Sequence, residues 1–188
     1  MSEDSHLLRS LALPLQSERI EIRELQIDDC SDRYVEWLLD PEVNKWLETR
    51  WTHQDLESVR EFVARIAADE DSLLAAIVLR DGQRHVGNIK IGPIDWVHKR
   101  ADISYFIGER DVWGTGLASE AIELLTDRAL GALGLARVQA SLYEPNVGSA
   151  RALEKAGFQL EGTLQSALHV GGGLRVNQLI YGKIWSGQ

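Results

Sequence analysis

From Arg19 to Arg23 charged and apolar residues alternate, which suits a strand with Ile20 and Ile22 on a buried face. The period then lengthens. Ser31 stands where a helix cap belongs, with Tyr34, Val35, Leu38 and Leu39 following on one side. Asp40-Pro41 stops that helix and offers a cap and first-turn proline to a short successor whose apolar face is Val43, Trp46 and Leu47. Thr52, with Asp55 three residues on, resembles a capping box opening a longer helix, in which Leu56, Val59, Val63 and Ile66 recur at helical spacing.

Strand character returns at Leu73 to Arg80; Asp81-Gly82 signals a hairpin turn, and His85 to Ile91 is the returning strand. Ala101 to Gly108 sets Ile103, Tyr105 and Ile107 against Asp102, Ser104 and Phe106, a further strand. Beyond Ala118, Ile122, Leu125, Ala129 and Leu133 form one helical stripe that frays at Gly131 and Gly134. Arg137 to Tyr143 reads as a strand and Ser149 to Ala156 as a short helix stopped by Gly157. Phe158 to Leu164 and Asn177 to Trp185 are two last strands. This order predicts a single domain of α/β or α+β class over residues 17–188, built on a mixed sheet and preceded by a polar arm, residues 1–16.

Composition narrows the class. With 44% apolar and 26% charged residues, the chain of 188 residues can bury a core in one domain without staples. The single cysteine, Cys30, excludes an internal disulfide, and the five histidines form no pair at ligand spacing, so no metal site is expected. Acidic residues precede the short apolar run Leu11-Ala12-Leu13, the wrong polarity for a secretory signal, and no apolar run approaches the ~20 residues of a membrane span. A cytoplasmic protein without a membrane partner is the expectation. A net charge of −9 argues against a nucleic-acid partner and modestly favours approach of a cationic amine.

Two strand-to-helix junctions carry candidate chemistry. Val112-Trp113-Gly114-Thr115-Gly116-Leu117-Ala118 places two glycines just before a first helical turn. Glycines let successive N–H groups converge, and the open N–H groups of the helix start add partial positive charge, together making a site for a pyrophosphate. The loop lacks the lysine and spacing of the nucleotide-triphosphate loop and the third glycine of the dinucleotide fingerprint. The same residues would equally make a tight turn with no ligand. At the next junction, Asn146 and Ser149 either face a ligand lying between splayed strands or shape a turn and cap the helix after it, with Leu153 and Phe158 in the core.

Taken together, these segments and the phrases Gly87-Asn88-Ile89, Ala101-Asp102-Ile103-Ser104-Tyr105 and Ala118-Ser119-Glu120-Ala121 resemble the GNAT superfamily of acyl-CoA-dependent N-acyltransferases. The resembling branch is that of the ribosomal-protein alanine acetyltransferases, and the likeness runs from Ser17 to Trp185. It implies a mostly antiparallel central sheet with helices on both faces, and acetyl-CoA as the acetyl-donating cosubstrate. The strand ending at Tyr105-Phe106-Ile107 would carry a bulge and pair through Phe106 and Ile107 with the pantetheine arm. Residues Val112 to Ala118 would hold the pyrophosphate, and Asn146 the pantetheine. Where the wider family often has Gln or Arg three residues before the first glycine, this chain has Asp111, for which Arg110 would compensate.

The chemistry so implied is attack of a neutral amine on a thioester, which needs a proton acceptor, an oxyanion donor and an acid for the thiolate. Ser149 matches the family's proposed acid. Asp102 is the candidate base, acting through water, with His98 a second candidate near the acceptor or a plain surface residue. The ribosomal-protein enzymes carry a Glu after the last motif, whereas Gln165 to Val170 contains no carboxylate. Acceptor contacts would come from the first helices and the last loop, Gly171-Gly172-Gly173 with Leu174 and Arg175. Trp51 and His53 are expected to touch the acceptor, Trp37 and Trp46 to fill core. A small-molecule amine, such as an amino sugar or nucleotide-linked amino sugar, is the leading acceptor. A protein N-terminal α-amine and a catalytically silent acyl-CoA-binding protein are the alternatives. A homodimer is common in this branch.

Overall fold

A computed structural model describes Leu8 and residues 11–185. The strands are β1 (Leu15–Gln16), β2 (Ile20–Glu24), β3 (Leu73–Leu79), β4 (Arg84–Asp95), β5 (Arg100–Ile107), β6 (Arg137–Tyr143), β7 (Gln159–Gly171) and β8 (Leu174–Ile184). They form one sheet in the order β1-β2-β3-β4-β5-β6-β8-β7. The helices are α1 (Asp32–Leu39), α2 (Pro41–Asn44), α3 (Leu56–Ala67), α4 (Leu117–Ala132) and α5 (Val147–Lys155). Neighbouring strands run antiparallel except β5 and β6.

Both faces of the sheet are covered, so its central strand cannot alternate in polarity. On β3, Ala75 and Ile77 enter the core beneath α4 and α5, while Leu74, Ala76 and Val78 enter a second core beneath α1 and α3. This explains the unbroken apolar run Leu73 to Leu79. Leu11 and Leu15, from the N-terminal arm, are buried in the first core and β1 pairs with β2. Helix α4 delivers Ile122, Leu125 and Ala129 to the same core.

Several local expectations are corrected. The cap of α1 is Ser31, as the pattern indicates, but its buried face is Tyr34, Trp37 and Leu38, and Leu39 faces water. The capping box of α3 is formed by Asp55 and Ser58, not Thr52 and Asp55, so the helix starts one turn later. Helix α5 begins at Val147, capped by Asn146. The glycine-rich stretch near the C-terminus is no loop. Strands β7 and β8 run into a two-residue turn at Gly172 and Gly173, whose φ values of 58° and 77° suit the mirror-image hairpin turn. The bulge implied for β5 lies on β4 instead, between Ile91 and Ile94, while residues 103–107 of β5 pair with β4 without interruption.

Candidate functional site

The one parallel junction of the sheet makes the site. β5 and β6 pair only at Arg100 with Arg137, Ala101 with Val138 and Asp102 with Gln139. Beyond Asp102 they part, because β6 continues along β8 and β5 along β4. The edge of β5 from Ile103 to Ile107 thus faces an opening rather than a strand. A cleft of about 810 Å³ runs through it, walled by Asp102, Ser104, Phe106, Tyr143, Asn146 and Ser149, among others. That is the size of a small-molecule site.

The double-glycine loop follows the Ile107 end of that open edge and does not itself line the cleft. Gly114 and Gly116 have φ of 76° and 91°, and an added Cβ would meet no backbone at either, so conformation rather than room demands glycine. Gly116 caps α4 without a side chain, leaving the first-turn N–H groups of Leu117, Ala118 and Ser119 open. Thr115 Oγ1 donates to Val112 O at 2.7 Å, and Trp113 Nε1 to Ile107 O at 2.9 Å, bracing the loop against the end of β5. That second bond occupies the Ile107 carbonyl. Arg19 donates to Thr115 O at 2.9 Å and pairs with Glu120, which also accepts from Ser17. The carboxylate in the first turn of α4 is therefore neutralised beside those open N–H groups. Asp111 is compensated by Arg84 at 2.7 Å, not by Arg110, which pairs with Asp40.

A buried ion cluster fixes this loop to α1. Glu109, 7% exposed, accepts from Arg33 Nε at 2.6 Å, Arg33 Nη2 at 2.8 Å and Trp37 Nε1 at 3.0 Å. These bonds, above all that from Arg33, hold its carboxyl below the usual range against the opposing effect of burial. The Trp37 indole packs against Gly108 so closely that a Cβ there would clash.

Inside the cleft, Ser149 Oγ lies 2.6 Å from Tyr105 Oη, which also donates to Ser149 O at 3.1 Å. Burial pushes the Tyr105 hydroxyl above its usual range, so it stays protonated. The side chain of Asn146 accepts from Ser149 N at 3.2 Å, capping α5 while lining the cleft. Asp102 lines it too, with Oδ1 accepting from Gln139 Nε2 at 2.9 Å. Phe106 lines the cleft with its ring grouped with Trp37 and with Tyr34, which also lines it.

The opposite wall is only partly as expected. Trp37 is core, but Trp46 lines the cleft beside Tyr143, whose hydroxyl donates to Glu48 at 2.5 Å. His53 lines the cleft with its ring 3.1 Å from Asp55. Trp51 does not. Its indole lies over the ring of His169 on β7, at 5.4 Å, and under the Arg50 guanidinium, while Arg50 Nη2 donates to His169 O at 3.1 Å. His98 is removed from the cleft altogether, in the exposed β4–β5 turn, where its N–H donates to Asp95. No local pattern announces Arg19, Tyr105 or Gln139, since each acquires its partner only through sheet pairing or distant contact. The described residues include no cluster suited to a metal.

Comparison with known proteins gives the same outline. Residues 19–159 match the family described as an acetyltransferase (GNAT) domain. An uncharacterized N-acetyltransferase, p20, of Bacillus licheniformis is 30% identical over 155 residues, 80% of this chain and 85% of that protein. Among solved structures, spermidine N-acetyltransferase from Vibrio cholerae, in complex with CoA and spermine, is similar with a TM-score of 0.78 at 15% identity. The match covers 89% of this chain and 96% of that one. RimL, a ribosomal-protein alpha-N-acetyltransferase in complex with coenzyme A, is similar with a TM-score of 0.79 at 17% identity, covering 89% and 95%. At such identities the structures share the fold, and their acceptors differ.

Proposed function

Since the chain belongs to the GNAT acetyltransferase family, we propose that it moves an acetyl group from acetyl-CoA to a primary amine of a small molecule, with amino sugars and nucleotide-linked amino sugars the leading class. The observation that carries the small-molecule reading is the bridge of Arg50 and Trp51 to His169. It joins the segment before α3 to the β7–β8 hairpin. Glu48, Thr49 and Thr52 on one side of the bridge and Leu168 on the other all line the cleft. A peptide needs an open groove along which its backbone can extend. A bridged cleft suits a compact acceptor.

The residues fit the donor as well. The loop from Val112 to Ala118 presents open N–H groups where a pyrophosphate would sit, and the unpaired edge of β5 offers backbone groups to an amide-bearing arm. Acetyl-CoA supplies an activated thioester. Attack by the neutral amine forms the C–N bond and breaks the C–S bond; the amine proton passes through water to Asp102. The Ser149 hydroxyl protonates the departing thiolate and is reprotonated from water, while Tyr105 holds that hydroxyl in place. Fixing both partners in one cleft supplies much of the rate.

A thiol-release assay with acetyl-CoA against amino sugars, nucleotide-linked amino sugars, polyamines, amino acids and N-terminal peptides tests this. Turnover confined to small amines and reduced in Ser149→Ala is the expected outcome. Turnover only on peptides would overturn the reading, and CoA binding with no thiol release from any amine would point to a silent binding protein.

A further inference from the structure

Two polar side chains of β4 line the cleft and have no part in the proton transfers above. Asn88 and Lys90 are two residues apart on the strand, hence on one face, and both line the cleft. Asn88 is 2% exposed. The Nε2 atom of His85 lies 3.0 Å from Gly87 O and 2.7 Å from Asn88. A carbonyl only accepts, so Nε2 carries the hydrogen and the Asn88 atom facing it is Oδ1. That leaves Nδ2 of Asn88 buried and without a hydrogen-bond partner. The Tyr34 hydroxyl is near enough to interact with this amide but lacks hydrogen-bond geometry. Buried amide hydrogens without a partner are uncommon, and one on a cleft wall points to a ligand.

Lys90 makes the matching observation. Its Nζ donates to Gly92 O at 2.8 Å, and among the described residues no carboxylate lies in ion-pair range of it. Two of its three hydrogens are therefore open toward the cleft. Burial lowers its pKa while the more distant Asp69 and Asp102 raise it, as expected for an ammonium stripped of water without a direct counterion. Arg65 lines the same cleft and is close enough to lower the Lys90 pKa further. A polyamine would bring a second positive charge against Lys90 and Arg65.

We propose that the acceptor carries an oxyanion, a carboxylate or a phosphate, in addition to its amine, and that Lys90 and Asn88 hold it: Nζ supplies the charge, Nδ2 the open hydrogen. This rests on the small-amine reading and narrows it. Positions two apart on a strand are separated by about 7 Å, a span the lysine side chain can cross.

The test uses matched acceptors, glucosamine 6-phosphate against glucosamine and 4-aminobutyrate against 4-aminobutanamide, with wild type, Lys90→Met and Lys90→Arg. The oxyanion member of at least one pair should have a kcat/KM higher by about 10-fold or more in wild type, as a charge-assisted hydrogen bond gives. That preference should shrink to within about 2-fold in Lys90→Met and return in Lys90→Arg. The pair that responds distinguishes phosphate from carboxylate. Equal rates within both pairs, or a preference that survives Lys90→Met, overturn the proposal and leave the small-amine reading standing. A second readout needs no acetyl transfer. Intrinsic fluorescence, to which Trp46 contributes from the cleft wall, is titrated with glucose 6-phosphate, succinate and glucose. Saturable quenching by an anion, absent with glucose and weakened in Lys90→Met, supports the oxyanion site even where no panel amine is acetylated. Quenching by neither anion sinks it.

Discussion

Replacing Tyr105 by Phe removes one oxygen and leaves the ring in place. The oxygen lies 2.6 Å from Ser149 Oγ and 3.1 Å from Ser149 O. A neutral hydrogen bond contributes about 1 kcal/mol net, so unfolding should move by about that amount, or roughly 2–4 °C in a chain of this length. On catalysis the same 1 kcal/mol becomes about 5-fold in kcat, because Ser149 loses its anchor. The double-glycine loop is untouched, so KM for acetyl-CoA should stay within about 2-fold of wild type. Ser149→Ala should lose more, on the order of 100-fold, the usual contribution of a positioned proton donor. The decisive measurement is kcat of the double variant. If Tyr105 acts only through Ser149, the pair should be no slower than Ser149→Ala alone, and the coupling should equal the whole Tyr105→Phe effect. Burial keeps the Tyr105 hydroxyl protonated, so the single-variant loss should be constant between about pH 6 and 9. Multiplying effects in the double variant, or a loss confined to one limb of the pH profile, would refute the dyad.

Other outcomes follow from the same geometry. Gly116→Ala forces a left-handed φ of 91° on a residue with a Cβ and should raise KM for acetyl-CoA several-fold while costing about 1 kcal/mol of stability. Glu109→Ala strands the buried Trp37 N–H, whereas the half-exposed Arg33 can turn to water. A loss of about 2 kcal/mol in denaturant unfolding is expected, and a loss under about 0.5 kcal/mol would contradict the cluster. In wild type, that carboxyl has a folded pKa below its ordinary 4.5, so its stabilisation is complete above about pH 5 and is lost as pH falls through the lowered value. Glu109→Ala should accordingly show a flatter decline in melting temperature below pH 5. Trp51→Ala with His169→Ala removes the stack across the cleft, and larger amines should gain kcat/KM relative to small ones, read in the thiol-release panel.

Elements whose period is set by the local chain were legible in the sequence. The strand Arg137 to Tyr143 is found with those bounds, Asp40 and Pro41 open α2, and Gly157, with φ of 86°, ends the turn after α5. The errors lie where tertiary packing chose between equivalent local options. Leu39 faces water because α1 buries the side that carries Trp37, whose ring and N–H meet Gly108 and Glu109. The cap of α3 moves to Asp55 because Ser58 can return its bond. The double-glycine loop and Ser149 could be marked as candidates because their chemistry is local, a turn before a helix. The alternation of β5 shows Tyr105 only as an apolar strand position. Its partner lies 44 residues away, and no spacing rule connects them. Trp51 and His98 stand out in the sequence only by residue type in loops, which gives a side chain's freedom but not its direction.

The three residue pairs that join β5 to β6 are a seam as well as a doorway. On one side stand β1 to β5, on the other β6, β8 and β7; α4 packs against strands of both halves, and α5 is hydrogen-bonded to both, through Tyr105 on β5 and Tyr181 on β8. A donor whose arm lay along the open edge of β5 would lengthen that seam from within, acting as a structural splint before it acted as a reagent. By mass action alone, donor at 100 times its dissociation constant would add about 2.7 kcal/mol to folding. Amide exchange in the donor-free protein should then be fastest along the two margins of the seam, and slow there first as the donor is added.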